Sequence, residues 1–219
     1  MRPITVTIGP LSAGNATNIA LSQQPTVGNL TLNGGTVVGG VAVLDHPRQV
    51  LITTASGSEA ANTFTIVGTD AAGSPISETV TGPIANSTAG SVLSYATVTQ
   101  IAISGNATGN LSAGTSGNAS SSWVRLDDWA PPQTSIQVNV ATTGNLAGNY
   151  TVQTTLDDPN SPTSPVSPAN VTWSNTALVG NTSSLQTSLT VPATYVRCFL
   201  NSGNATVSMT VLQSGVVPY

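Results

Sequence analysis

The sequence predicts an all-β fold: two antiparallel β-sandwich or barrel-like domains with little or no helix. Three observations point there. β-branched and other apolar residues alternate with polar ones along much of the chain, the period of a half-buried strand. Clusters of Gly, Asn, Pro and Ser interrupt the alternation roughly every 8–15 residues, as in sandwiches and barrels. No window of helical length carries apolar residues at i, i+3, i+4 and i+7 between caps, so helix is limited to a turn or two.

The expected strands are 3–8, 36–44, 48–54, 62–68, 76–81, 91–104, 122–126, 134–142, 149–156, 185–191, 194–200 and 205–213. The sharpest local signal is a hairpin over 62–81. Thr63, Thr65 and Val67 alternate with Phe64, Ile66 and Gly68, and Ile76, Glu78 and Val80 alternate with Ser77, Thr79 and Thr81. Between them Asp70-Ala71-Ala72-Gly73 has Asp first and Gly last, the chemistry of a type I turn.

A boundary is expected near 105–121, where the chain is rich in Gly, Asn, Ser and Ala and reads as a linker or a long loop. It divides an N-terminal β domain, 1–121, from a C-terminal β-sandwich domain, 122–219. A second loop, 157–170, holds Pro159, Pro162, Pro165 and Pro168. Each proline fixes φ and lacks a donor, so no central strand passes there; an ordered, extended surface loop is expected. Gly-Asn-Ala-Thr recurs at 14–17, 105–108 and 203–206. Its spacing is irregular, which argues against a solenoid and for reuse of one turn.

Composition restricts function. Only 5% of residues are charged, against about 25% in ordinary globular proteins. There is no lysine, and the cations are Arg2, Arg48, Arg125 and Arg197. Four scattered arginines cannot neutralise a run of phosphates, so no nucleic-acid partner is expected. No apolar run reaches membrane-spanning length, and no apolar stretch follows Arg2 as in a secretory leader, so neither a membrane partner nor a secretory route is expected. The net charge of −4 is too small for charge-driven disorder. Three Trp, four Tyr and two Phe make a thin aromatic core, which favours an assembled state in which interfaces bury further surface.

Few residues suggest chemistry. His46 stands in Leu44-Asp45-His46-Pro47-Arg48; Asp-His adjacency can orient an imidazole, but no nucleophile elbow accompanies it, and it reads as a turn histidine. Acids pair at Asp127-Asp128 and Asp157-Asp158. Neighbours on a strand face opposite ways, so neither pair makes an acid–base couple. Their loops are either solvated turns or, without the Ca²⁺-loop spacing, a lone cation site. Cys198 lies in a strand-like run and reads as a small buried hydrophobe. Trp123 and Trp173 are expected in the core and Trp129 at a domain junction, with a sugar-stacking platform as the other use of three tryptophans. Asn-x-Ser/Thr triplets, among them at Asn15, Asn29, Asn86 and Asn149, follow from composition. No catalytic, cofactor-binding or metal-ligating residue emerges, no cofactor is expected, and the chain is not expected to be an enzyme.

Two stretches carry a resemblance. Pro47–Thr54 followed by Asn62–Gly73 and Glu78–Gly82 resembles a hairpin unit common in structural proteins of tailed bacteriophages. Tyr150–Pro159, Val171-Thr172-Trp173 and Ala205–Gly215 are similar to small β-sandwich phage proteins. Together they cover about half of the chain. The resemblance implies a β-rich virion structural protein assembled in the host cytoplasm, of the capsid decoration (cement) or tail accessory type. The leading expectation is a decoration protein whose partner is the major capsid protein, in a homo-oligomer with a trimer favoured. The alternative is a tail or fibre accessory protein that contacts host glycans or the tail tube.

Overall fold

The alternating runs close into antiparallel ladders throughout the computed structural model, which describes residues 3–126, 134–141, 147–189 and 191–213. The chain is all-β, with one 3-10 turn among the described residues, at Pro168–Asn170. No helix among the described residues is long and apolar enough to cross a membrane. Two units result, one of residues 13–119 and one of residues 1–12 with 120–219. The opening strand Ile4–Ile8 (β1) therefore lies in the second unit and not, as the sequence reading had it, in an N-terminal domain of 1–121.

Residues 13–119 contain Asn15–Gln23 (β2), Gly28–Asn29 (β3), Val37–Val38 (β4), Val41–Arg48 (β5), Val50–Thr54 (β6), Thr63–Thr69 (β7), Pro75–Thr81 (β8), Thr88–Gly90 (β9), Tyr95–Ile103 (β10) and Leu111–Thr115 (β11). One sheet runs β4-β5-β10-β7-β8 with β3 beside β10, and the other runs β2-β11-β6-β9. The buried core residues of this unit include Ile19, Ile52, Phe64, Ile66, Ile101 and Leu111.

The hairpin over 62–81 forms as its alternation predicts. β7 and β8 pair from Thr63↔Thr81 to Thr69↔Pro75 without a register shift. Asp70 Oδ1 accepts the amides of Ala72 and Ser74 at 2.8 and 2.9 Å, and the Gly73 amide donates to the Asp70 carbonyl at 3.1 Å.

Of two expected strands, one is split and one is shortened. The 36–44 run is the hairpin β4–β5, turned at Gly39 and Gly40, whose φ values are 61° and 83°. Such a two-residue turn needs positive φ at both positions. The 91–104 run yields β10 only, because residues 91–94 form a turn. There the Val92 and Leu93 amides donate to the Glu78 carboxylate at 2.8–3.1 Å, and the Ser91 hydroxyl donates to the Leu93 carbonyl at 2.8 Å.

The segment 105–121, read as a linker or loop, instead supplies β11, a central strand buried at all five residues. Its smallness is the reason: a Cβ at Gly114 would overlap the carbonyl of Asn15 and the backbone of Ala16 on β2. β2 itself has weak alternation, since Ile19 and Ala20 are both buried and its pairing with β11 shifts register.

The second unit holds β1 and, in chain order, Ala119–Ser120 (β12, on which the division falls), Val124–Arg125 (β13), Thr134–Ala141 (β14), Gly148–Thr155 (β15), Ser174–Asn175 (β16), Leu185–Leu189 (β17), Tyr195–Gly203 (β18) and Thr206–Gln213 (β19). One sheet runs β1-β19-β14-β17, and the other holds β18, β15 and β16 in that order, with β13 also on β18. Val138, Val152, Val196, Leu200, Met209 and Val211 are among its buried core residues.

The repeated Gly-Asn-Ala-Thr phrase does not reuse one turn. At 14–17 it opens β2, at 105–108 it lies in a loop, and only at 203–206 does it join two strands, with Gly203 at φ 101°. Four residues without large side chains leave neighbouring segments to decide their conformation.

Low charge has a structural counterpart on the outer sheet faces. Hydroxyls meet across strands at Thr5–Thr210 (2.8 Å), Thr7–Ser208 (3.0 Å), Thr53–Thr88 (3.0 Å), Thr65–Thr79 (3.3 Å) and Thr69–Thr97 (2.7 Å). Cross-strand Thr pairs of this kind stabilise a sheet by roughly 0.2–1 kcal/mol each, with no charge exposed.

Glu59 is the exception that tests polar satisfaction in the interior. Its carboxylate is 0% exposed. Oε2 accepts from Asn62 Nδ2 at 2.7 Å, and Oε1 accepts from the Thr108 amide and hydroxyl, both at 2.8 Å, and from the Gly109 amide at 3.3 Å. Burial pushes the acid up, but these donors outweigh it and hold Glu59 below its ordinary value. A carboxyl depressed on folding contributes stability that is present above its unfolded pKa and lost as pH falls through the folded one. Stability is thus expected to fall as pH drops below about 4.3. Glu59→Gln, which sets an NH₂ among donors, should cost about 2–3 kcal/mol at neutral pH and weaken that acid dependence. Urea unfolding across pH checks both.

Candidate functional site

Residues singled out for chemistry are absorbed by structure. Asp45 and Arg48 lie on β5, where a 1% exposed guanidinium meets the carboxylate through Nε at 2.6 Å and Nη2 at 2.5 Å and donates from Nη1 to the Ser116 carbonyl at 2.9 Å. His46 is a strand residue, not a turn residue; its Nδ1 is 3.9 Å from Asp45 Oδ2. The Asp45 carboxylate therefore binds chiefly the buried cation. Pro47 sits just before Gln49, where the chain passes from one sheet to the other.

Asp157 and Asp158 fasten the proline-rich loop. Asp157 Oδ2 accepts the Thr172 amide at 2.7 Å. Asp158 Oδ1 accepts the Asn160 amide at 2.8 Å and the Tyr195 hydroxyl at 3.3 Å, and Oδ2 lies 3.3 Å from Arg125 Nη2. Asp127, Asp128 and Trp129 lie outside the described residues. Among the described residues no group of three or more His, Cys, Asp and Glu side chains converges as a metal site would. Burial pushes the Cys198 thiol up to about 12, which suits an inert core residue. Sequon asparagines serve local bonds: Asn15 Oδ1 accepts from the Thr17 amide at 2.8 Å, Asn29 Oδ1 from Gln100 at 2.7 Å, and Asn149 Nδ2 donates to the Gly180 carbonyl at 3.0 Å.

Trp123 and Trp173 depart from the expected core position. On β18, Val196, Cys198 and Leu200 face the core, whereas Tyr195, Arg197 and Phe199 face the other way. The two tryptophans join this second set and are only half-buried. Their ring centroids are 5.1 Å apart in an edge-to-face contact, and Trp123 is 6.1 Å from Tyr195. The Arg197 guanidinium lies 4.2 Å from the Trp173 centroid and 5.8 Å from that of Phe199, and its Nε donates to Gln153 at 2.9 Å. Rings and cation thus satisfy one another.

Among the described residues the second unit holds a groove of about 430 Å³, a size within the range of ligand clefts. It lies between the sheet edges β16 and β17 and the segments 154–157, 172–177 and 191–193. Leu156, Leu189, Val191 and Pro192 give it apolar walls, and Thr154, Ser174, Asn175 and Thr187 give uncharged polar ones. Asp157 is the single acid among the residues that line it. No sequence signal marked this groove, because three segments separated along the chain build it. Comparison of the chain with protein-family models, curated proteins and solved structures found no match.

Proposed function

We propose that the chain is a non-enzymatic structural protein of a bacteriophage particle, a capsid decoration (cement) protein bound as a homo-oligomer to the major capsid protein lattice. The observation that carries this reading is the character of the surface. Its outer sheet faces carry hydroxyl pairs, and isolated aliphatic side chains are exposed beside them, Val38 on β4 at 74% and Val92 in the turn before β10 at 79%. A sparsely charged surface of this kind is suited to apolar and hydrogen-bonded contact with another protein. Repetition over a symmetric lattice would turn weak single contacts into stable attachment. The resemblance of both halves of the sequence to phage structural proteins supplies the partner.

Purified chain added to heads that lack it should bind saturably and raise their thermal stability. Because the contact is uncharged, affinity should change less than about threefold between low and high salt. Absence of binding, or a fall of tenfold or more as salt rises, would contradict the reading.

A further inference from the structure

The outer edge of β17 borders the groove. Among the described residues β17 pairs with β14 alone, so its other row of amides and carbonyls has no strand beside it. Leu185, Thr187 and Leu189 are in register with the buried Val138, Ile136 and Thr134, and opposed residues share a face of the sheet. All three therefore point to the inner face. Leu185 is nevertheless 38% exposed, and Leu156 and Val191 on the groove walls are 74% and 69% exposed. Aliphatic side chains in such a concave site gain free energy when apolar groups cover them.

Unpaired strand edges invite pairing with another chain, and proteins guard them with charge, proline, a covering segment or short length. Other edges of this chain are guarded. β8 carries Pro75 and Glu78. β2 is covered by 33–36: the Leu21 amide donates to Asn33 Oδ1 at 2.9 Å, and the Gly34 and Thr36 amides donate to the Ile19 and Asn18 carbonyls at 3.0 Å. β4, β9 and β16 have only two or three residues. β17, Leu-Gln-Thr-Ser-Leu, has neither charge nor proline. β1 is neutral as well but, unlike β17, is not among the segments that line the groove.

The strand is also complementary to itself. Antiparallel pairing of two copies about Thr187 sets Leu185 opposite Leu189 of the second copy, Gln186 opposite Ser188 and Thr187 opposite Thr187. The first is an aliphatic pair and the last a hydroxyl pair of the kind already formed between strands of this chain. A two-fold axis through Thr187 keeps both inner faces on one side, so the leucines of each copy lie beside the groove of the other.

We propose that β17 pairs with β17 of a second copy, antiparallel about Thr187, joining two four-stranded sheets into one and covering Leu156, Leu185 and Val191. The inference rests on the homo-oligomeric part of the reading above and says how copies meet, not what they bind.

Sedimentation of the full chain over a range of concentrations should show a dimer. Gln186→Lys/Ser188→Lys, at two exposed positions, sets lysine opposite lysine twice and should weaken association at least about tenfold. Gln186→Glu/Ser188→Lys sets glutamate opposite lysine and should restore association to within about threefold of the original. Thr187→Cys should cross-link two copies under mild oxidation, because opposed Cα atoms about 4.5–5.5 Å apart are within disulfide reach. Gln137→Cys, on the central strand β14, should not, and Cys198 is buried. A dimer left intact by the two lysines would overturn the proposal and move the contact to β1 or another surface. Equal weakening by both charged variants, or no cross-link at Thr187→Cys, would also overturn it. A chain that stays monomeric yet binds heads would overturn the pairing and leave the capsid reading in place.

Discussion

Replacement of Asp45 by alanine is expected to cost about 3–5 kcal/mol, because it leaves the Arg48 guanidinium charged and buried. The carboxylate supplies two of the three hydrogen bonds described for that group, and the Ser116 carbonyl supplies the third. The loss is asymmetric. Asp45 is 37% exposed, so after Arg48→Met its charge can be hydrated, and that variant should cost less. The double variant Asp45→Ala/Arg48→Met should be more stable than Asp45→Ala alone, because removing the cation also removes the uncompensated charge. Chemical denaturation of the four proteins gives the cycle. A double variant less stable than Asp45→Ala would show that the pair acts through packing and not through charge.

Gly114→Val is expected to cost about 3 kcal/mol or more, a large share of the stability of a small unit. Gly114 is not in the left-handed region, so its need for glycine is steric alone. Any Cβ there meets the backbone of Asn15 and Ala16, which cannot rotate away as a side chain could. Gly114→Ala should already destabilise, by less than valine does. Thermal unfolding of the three proteins gives the order. If alanine were neutral, β2 and β11 would be farther apart than described.

These two sites show which parts of the fold were legible in sequence. The hairpin of β7 and β8 was readable because Phe64 and Ile66 alternate with threonines and Asp70 and Gly73 carry the turn. β11 was not, because burial of Leu-Ser-Ala-Gly-Thr depends on close backbone approach by β2, and small residues look alike in a loop and in a tight strand. β2 was hidden by the adjacent burial of Ile19 and Ala20. The aspartates of the proline-rich loop were visible as acids, but their role as anchors depends on Thr172, Tyr195 and Arg125, which are distant in sequence. Trp123 and Trp173 were expected in the core. Their place on the outer side of β18 followed only from the pairing of β13 with β18, which sets Trp123 next to the Tyr195–Arg197 row. For the groove, the sequence offered no sign that Leu156 and Val191 would remain exposed, since both continue apolar alternation.

The polar side of the account is more uniform. Hydroxyl pairs on the outer faces, a carboxylate inside one unit and a guanidinium buried against one acid replace the charged surface of an ordinary domain. This arrangement allows a sparsely charged surface to be stable.

The most direct test of the proposed role is cryo-electron microscopy of intact particles, compared with particles from which this chain has been deleted. The account predicts density for both units repeated over the head at lattice symmetry, in contact with the major capsid protein and missing from the deleted particles. Density confined to the tail or its tip, or no difference between the two particles, would contradict it.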